Sequence, residues 1–190
     1  MCGYGKIELI FNSQGYIVDI LRRESDYNMK VSIIMGSDSD WPILKPAYEL
    51  LKKFDIEAEV IVASAHRTPA RVKEIVTTAP ERGVCAFISA AGAAAHLGGV
   101  IASYTTLPVI GVPINATALN GMDALLSTVQ MPSGIPVATM AINGAKNAAI
   151  FVVEMFAISN PELAKKLKDY RQNMVEEVEK KAARVEQQLG

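Results

Sequence analysis

From Met29 onward, short runs of β-branched and apolar residues alternate with longer amphipathic segments. Strands that are apolar along their whole length are those buried on both faces, so this alternation reads as a parallel sheet covered by helices on each side. Strands are expected at about 30–35, 57–63, 84–90, 108–112 and 136–140. Five strands with intervening helices make one doubly wound, three-layer αβα domain of the α/β class over 29–190. Half of the 190 residues are hydrophobic, enough to bury a core without disulfide or metal support.

Helix starts carry chemical markers. Thr68-Pro69 and Asn160-Pro161 each place a capping side chain before a proline whose φ is already helical. After the sheet is complete, Leu163, Leu167, Tyr170, Met174, Val178, Ala182, Val185 and Leu189 recur at three- and four-residue steps. That stripe predicts one long C-terminal helix over about 161–189, packed partly on another subunit. Residues 1–28 stand apart from the pattern, with Lys6 to Phe11 and Tyr16 to Leu21 as short strands or a hairpin. Met29-Lys30, just before the first strand, reads as an alternative translation start, and 1–28 as a leader or non-native extension whose loss leaves function intact.

Charge excludes some partners. With 19 basic and 20 acidic side chains, the chain has no electrostatic footprint for nucleic acid or a membrane surface. A small-molecule ligand is expected instead. No uninterrupted apolar stretch is long enough to span a bilayer, and Glu8, Asn12 and Gln14 interrupt the region where a signal peptide needs its apolar stretch. Cys2 and Cys85 lack metal-ligand spacing, and Cys85, inside an apolar run, reads as a small buried residue in a reducing compartment. The cytoplasm is therefore expected.

In an open parallel sheet, ligands bind beyond the carboxyl ends of the strands. After the first expected strand comes Gly36-Ser37-Asp38-Ser39-Asp40, then Trp41-Pro42 and a helix. Its amides and the Ser37 and Ser39 hydroxyls suit an anion at a helix N-terminus, a phosphate above all. The same residues also serve an ordinary helix start with Ser39 or Asp40 as cap. The loop is neither a dinucleotide fingerprint nor a nucleotide triphosphate loop, which disfavours NAD and ATP.

The second strand ends in Ser64-Ala65-His66-Arg67-Thr68-Pro69. An imidazole exchanges protons near neutral pH and a guanidinium holds phosphate bidentately, so His66 and Arg67 form a candidate acid/base and anchor. The alternative is a structural histidine beside a surface arginine. After the third strand, Ala91-Gly92-Ala93-Ala94-Ala95-His96-Leu97 offers small side chains that admit a ligand close to the backbone, or that serve tight helix packing. His66 and His96 are the only histidines, and neither has a carboxylate or cysteine at ligand spacing, so no metal site is expected. Nor is there a serine or cysteine in a nucleophile setting. Two later segments, 111–115 and 127–136, are expected to complete the rim, the second as a lid or wall too rich in proline and glycine for a helix interior.

Together these motifs resemble the N-carboxyaminoimidazole ribonucleotide mutases of bacterial type, the PurE family. Gly-Ser-Asp-Ser-Asp at 36–40, Ser-Ala-His-Arg-Thr-Pro at 64–69, Ala-Gly-Ala-Ala-Ala-His-Leu at 91–97 and Val-Gln-Met-Pro-Ser-Gly-Ile-Pro-Val at 129–137 carry the resemblance over about residues 30–175. It implies a flavodoxin-like fold, a homo-octamer knit partly by C-terminal helices, and an isomerase of purine (IMP) biosynthesis that uses no cofactor. It also implies that His66 is the acid/base, with Ser37, Ser39, Asp40, Ser64, Ala65, Arg67, Gly92, His96 and Leu97 around the substrate. Arg67 and the serines are expected at its phosphate, Asp40 at its ribose hydroxyls, and His96 near the ring. A sister class that carboxylates aminoimidazole ribonucleotide with free carbon dioxide carries Lys in place of Arg67 and Arg-Ser-Asn in place of Ala93-Ala94-Ala95, so the mutase class fits better. Gly98, where the family commonly has proline, and Asn115-Ala116-Thr117 depart from the family pattern. A phospho-receiver module, suggested by Asp38 and Asp40, would need an aspartate at the end of the third strand, where this chain has Ser89-Ala90-Ala91.

Overall fold

A computed structural model of the chain describes residues 7–11, 17–22 and 29–189. Within 1–28, β1 (Ile7–Phe11) and β2 (Ile17–Arg22) pair antiparallel as a two-stranded sheet separate from the main one. The expectation of two short strands therefore holds for the described residues, which pair with each other. The leader or extension reading falls largely on residues outside those described.

The main sheet comprises β3 (Lys30–Met35), β4 (Glu57–Val62), β5 (Val84–Gly92), β6 (Val109–Ile114) and β7 (Ala138–Thr139). All neighbours are parallel, in the order β4-β3-β5-β6-β7. This is the doubly wound, flavodoxin-like arrangement expected from the alternating pattern. Helices α1 (Trp41–Lys53), α2 (Pro69–Thr77), α3 (Leu97–Tyr104), α4 (Met122–Val129), α5 (Ala145–Ala157) and α6 (Pro161–Leu189) connect and cover it.

The period of two along each strand divides the core. Val31, Ile33 and Met35 of β3, with Ile88 of β5 and Ile110 and Val112 of β6, pack under Leu44, Leu51, Val152 and Val153 of α1 and α5. Ile34 and Phe87, pointing the other way, pack with Val72, Val76 and Ile101 of α2 and α3. Both faces of the central strands are thus buried, and each fully enclosed Val, Ile, Leu or Phe contributes about 1.5–3 kcal/mol.

Several local expectations change. Thr68 precedes α2, but its side chain does not cap the helix; its hydroxyl accepts from the Ser64 amide at 2.9 Å and donates to the Ser64 carbonyl at 3.1 Å. The threonine closes the functional loop instead. Asn160 does cap α6, its Oδ1 accepting from the Leu163 amide at 3.0 Å. Residues 127–129, expected in a loop, form the last turn of α4, because proline and glycine begin only at Pro132. Cys85 is half-buried rather than enclosed.

Helix α6 docks only through its first third. Leu163 is buried, and the Phe54 and Tyr170 rings meet edge to face at 5.5 Å. Lys166 pairs with Asp55 at 2.6 Å, and Arg171 with Glu154. Beyond Tyr170 the helix is exposed on every side. None of the described helices is long and apolar enough to cross a membrane.

Candidate active site

In chain order the sheet is first extended outward from β3 to β4 and then in the opposite direction to β5. The connections diverge between β3 and β5, where strand ends leave a crevice. The Gly36 amide, just past β3, donates to the Ala90 carbonyl at 3.1 Å and so holds the first loop against the third. A cleft of about 450 Å³ opens here, walled by the segments following β3, β4 and β5. All ten residues singled out in the sequence line it.

Ser37, Ser39 and Asp40 form one wall. Ser37 has extended backbone and caps a single 3₁₀ turn, Asp38–Asp40, that leads into α1. Its Oγ accepts from the Ser39 amide at 3.3 Å and from the Ser39 hydroxyl at 2.8 Å, while its own amide donates to Asp40 Oδ2 at 3.3 Å. This reciprocal arrangement satisfies donors at the helix start. Ser37 therefore caps the 3₁₀ turn, while Asp40 occupies the cap position of α1 without a side-chain cap bond. Asp40 is 6 % exposed. Burial pushes its carboxyl above the ordinary 3.8, with the Ser37 amide pulling the other way.

The segment after β4 supplies Ser64, Ala65, His66 and Arg67. Ser64 Oγ accepts from the Arg67 amide at 3.2 Å, and Arg67 Nη2 donates to the Gly36 carbonyl at 3.0 Å. The guanidinium thus lies across the mouth of the Ser37–Asp40 turn, so donors from two loops face the same space. A phosphate placed there would meet charge-assisted and hydroxyl donors together.

Opposite, Gly92, His96 and Leu97 come from the end of β5 and the start of α3. Ala93 adopts a left-handed φ of 53°, uncommon outside glycine, and the chain reverses there to bring His96 back over the cleft. His66 Nε2 and His96 Nδ1 stand 2.9 Å apart, their rings edge to face at 79° with centroids 5.0 Å apart. Two residues 30 positions apart in sequence are thereby made one unit. A Cβ on Gly92 would sit 2.6 Å from the Ala116 methyl, so glycine permits the segments after β5 and β6 to close together.

Gly36, Ala91, Ala93 and Ala94, read in the sequence only as parts of ligand-facing segments, also line the cleft; Ala116, after β6, was not singled out. Sequence reasoning also overreached. The segment 130–136 does not line the cleft, and from the segment after β6 only Ala116 reaches it. The departures at 98 and 115–117 have local reasons: a Cβ at Gly98 would stand 2.8 Å from Ser89 Oγ, so α3 packs too closely on β5 for a larger residue. The Asn115 amide donates to Asn143 Oδ1 at 3.0 Å, and the Thr117 hydroxyl to Asp123 Oδ2 at 2.8 Å, which pins that loop. Among the described residues no cluster of three or more His, Cys, Asp or Glu side chains stands ready for a metal.

Comparison with known proteins gives the family and agrees with the fold. Residues 30–177 match the family described as AIR carboxylase. The N5-carboxyaminoimidazole ribonucleotide mutase of Thermotoga maritima is 54% identical over 158 residues, covering 83% of this chain and 92% of that protein. A phosphoribosylaminoimidazole carboxylase of Candida glabrata is 45% identical over 170 residues, 90% of this chain but 30% of that longer protein. Among solved structures, Treponema denticola PurE superposes with a TM-score of 0.72 at 28% identity, covering 80% of this chain and 94% of the other.

Proposed function

The chain belongs to the AIR carboxylase family, and from that premise we propose that it is the mutase of purine biosynthesis that converts N5-carboxyaminoimidazole ribonucleotide to 4-carboxy-5-aminoimidazole ribonucleotide. The observation that carries this reading is the convergence of an imidazole pair, a guanidinium and two hydroxyls on one cleft at the switch point of the sheet.

The chemistry follows from the placement. Arg67, Ser37 and Ser39 hold the substrate phosphate, and Asp40 meets the ribose hydroxyls. Protonated His66 delivers its proton to the exocyclic nitrogen as the N–carboxyl bond breaks, and carbon dioxide stays beside the electron-rich ring. The small side chains from Ala91 to Ala94 line the cleft beside it. The ring carbon attacks the trapped carbon dioxide, and neutral His66 then takes the proton from that carbon, restoring the aromatic ring. Protons given and taken are equal, so the cycle closes without a co-reactant. Proton placement of this kind is worth about 10²–10⁴-fold, and confinement of the two fragments supplies much of the rest.

Helix α6 leaves Met174, Val178, Val185 and Leu189 between 50% and 84% exposed, an apolar stripe of the kind that a further copy of the chain covers. We read the working form as a homo-octamer in the cytoplasm, where a phosphorylated substrate is retained. The catalytic unit in this reading is 29–190, with 1–28 dispensable.

The second reading, direct carboxylation of aminoimidazole ribonucleotide by free carbon dioxide, is favoured by the description of the family and by the name of the Candida glabrata relative. Incubation with each substrate in turn, without ATP and with chelator present, separates them. Isomerisation of the N-carboxylated compound with little uptake of labelled carbon dioxide from solution supports the mutase; turnover confined to aminoimidazole ribonucleotide plus carbon dioxide supports the carboxylase.

A further inference from the structure

We propose that His96 is a positioning residue: its Nδ1 accepts the Nε2–H of His66 throughout the reaction, so that His66 gives and takes its proton at Nδ1 alone. This rests on the acid/base role of His66 given above.

Proton counting fixes the polarity of the 2.9 Å contact between His66 Nε2 and His96 Nδ1. A hydrogen bond between two imidazole nitrogens needs one proton on the facing pair. If His96 were the donor, the Nε2 lone pair of His66 would be occupied and its Nδ1 would already carry hydrogen, leaving His66 no nitrogen with which to act as a base. If both rings were cations, two N–H groups would face each other and the contact would open. With His66 donating, one geometry serves both halves of the cycle. Charged His66 keeps Nε2–H on His96 and offers Nδ1–H as the acid; neutral His66 keeps the same bond and offers the Nδ1 lone pair as the base.

Surroundings agree with this polarity. Among the described residues no other group hydrogen-bonds either ring, so nothing competes for His66 Nε2–H or fixes the opposite tautomer on His96. The charged groups sharing the cleft are Asp40, held by the Ser37 amide, and Arg67, held by the Gly36 carbonyl. His96 itself is set by the chain, its amide donating to the Ala94 carbonyl at 2.8 Å immediately before α3 begins. The ring partner of the acid/base therefore comes from a different strand end.

Because His66 and His96 are the only histidines, ¹⁵N-histidine labelling of the full chain gives a spectrum of two rings, assigned by the loss of one in His66→Asn. Solid-state ¹⁵N NMR at a pH where both rings are neutral is expected to show a ¹⁵N–¹⁵N coupling across the hydrogen bond, with the proton on His66 Nε2 and the other ring protonated at its Nε2. In turnover, His96→Phe, which removes the acceptor, is expected to lower kcat about 10- to 100-fold with little change in KM. His96→Asn, whose Oδ1 can stand in for Nδ1, is expected to recover most of that loss. The proton on His96 Nδ1, absence of the coupling, equal kcat in the Phe and Asn variants, or an effect confined to KM would each overturn the inference. If the parent does not isomerise the N-carboxylated substrate, the functional reading fails, while the tautomer measured in the parent still decides this one.

Discussion

Arg67 Nη2 donates to the Gly36 carbonyl at 3.0 Å, latching the segment after β4 to the segment after β3 across the carboxyl edge of the sheet. The same guanidinium borders the turn proposed to hold phosphate. Replacing it with lysine keeps one positive charge but loses the planar fork. Arg67→Lys is expected to raise KM for the phosphorylated substrate about 10- to 100-fold, the worth of one or two charge-assisted hydrogen bonds, with a smaller change in kcat. Steady-state kinetics on the parent and variant make the comparison.

Asp40 gives a pH signature. Burial holds its carboxyl above 3.8 in the folded protein, so the native state binds this proton more tightly than the unfolded chain does. The contribution to stability is then fully present below 3.8 and is lost as pH rises through the folded value. In Asp40→Asn that dependence disappears. The stability of the parent relative to the variant is expected to improve as pH falls from neutrality to below 3.8, read from denaturant unfolding at several pH values; a relative loss on acidification would refute it.

Gly92 tests how tightly two strand-end segments must close. An added methyl would meet the Ala116 methyl at 2.6 Å and the Ile114 carbonyl at 3.4 Å, with backbone on one side unable to retreat cheaply. Gly92→Ala is expected to cost about 1–3 kcal/mol, an overpacking penalty, and to lower the melting temperature by several degrees. It should also reduce activity, since the cleft wall carries His96 four residues on.

The outer stripe of α6 is proposed as an interface between copies. A double variant, Met174→Glu with Val178→Glu, places charge on two residues that are 50% and 64% exposed in the single chain. Its fold is expected to survive, because neither side chain belongs to the core, while the assembly mass measured by light scattering falls below that of the parent. An unchanged mass would remove α6 from the interface.

Much of this was legible in the sequence, for identifiable reasons. Strands buried on both faces announce themselves as continuous apolar runs, and β3 lies where 30–35 placed it; the edge strand β4, exposed or part-buried throughout, lies almost where 57–63 placed it. The last strand was the exception: of 136–140 only Ala138 and Thr139 pair, because ladder formation at a sheet edge depends on a neighbour that local pattern does not encode. The loops of the cleft were found because parallel sheets collect ligands at strand ends, and the resemblance to the PurE family picked out the individual residues in them. What the sequence could not reveal was pairing across loops. Nothing in the separation of His66 and His96 says that their rings meet, and Thr68 looked like a helix cap until its hydroxyl was seen closing on Ser64. The 130–136 segment looked like a wall of the cleft because proline and glycine mark irregular structure, which says nothing about where that structure points.

The most direct test of the central claim is the rate at which purified parent and His66→Asn interconvert the N-carboxylated and carbon-carboxylated ribonucleotides, without ATP and with chelator present. The parent is expected to be active, and a folded variant with native assembly to lose about 10²–10⁴-fold, the usual worth of a positioned acid/base. A folded His66→Asn protein that isomerises at the parent rate would contradict the claim.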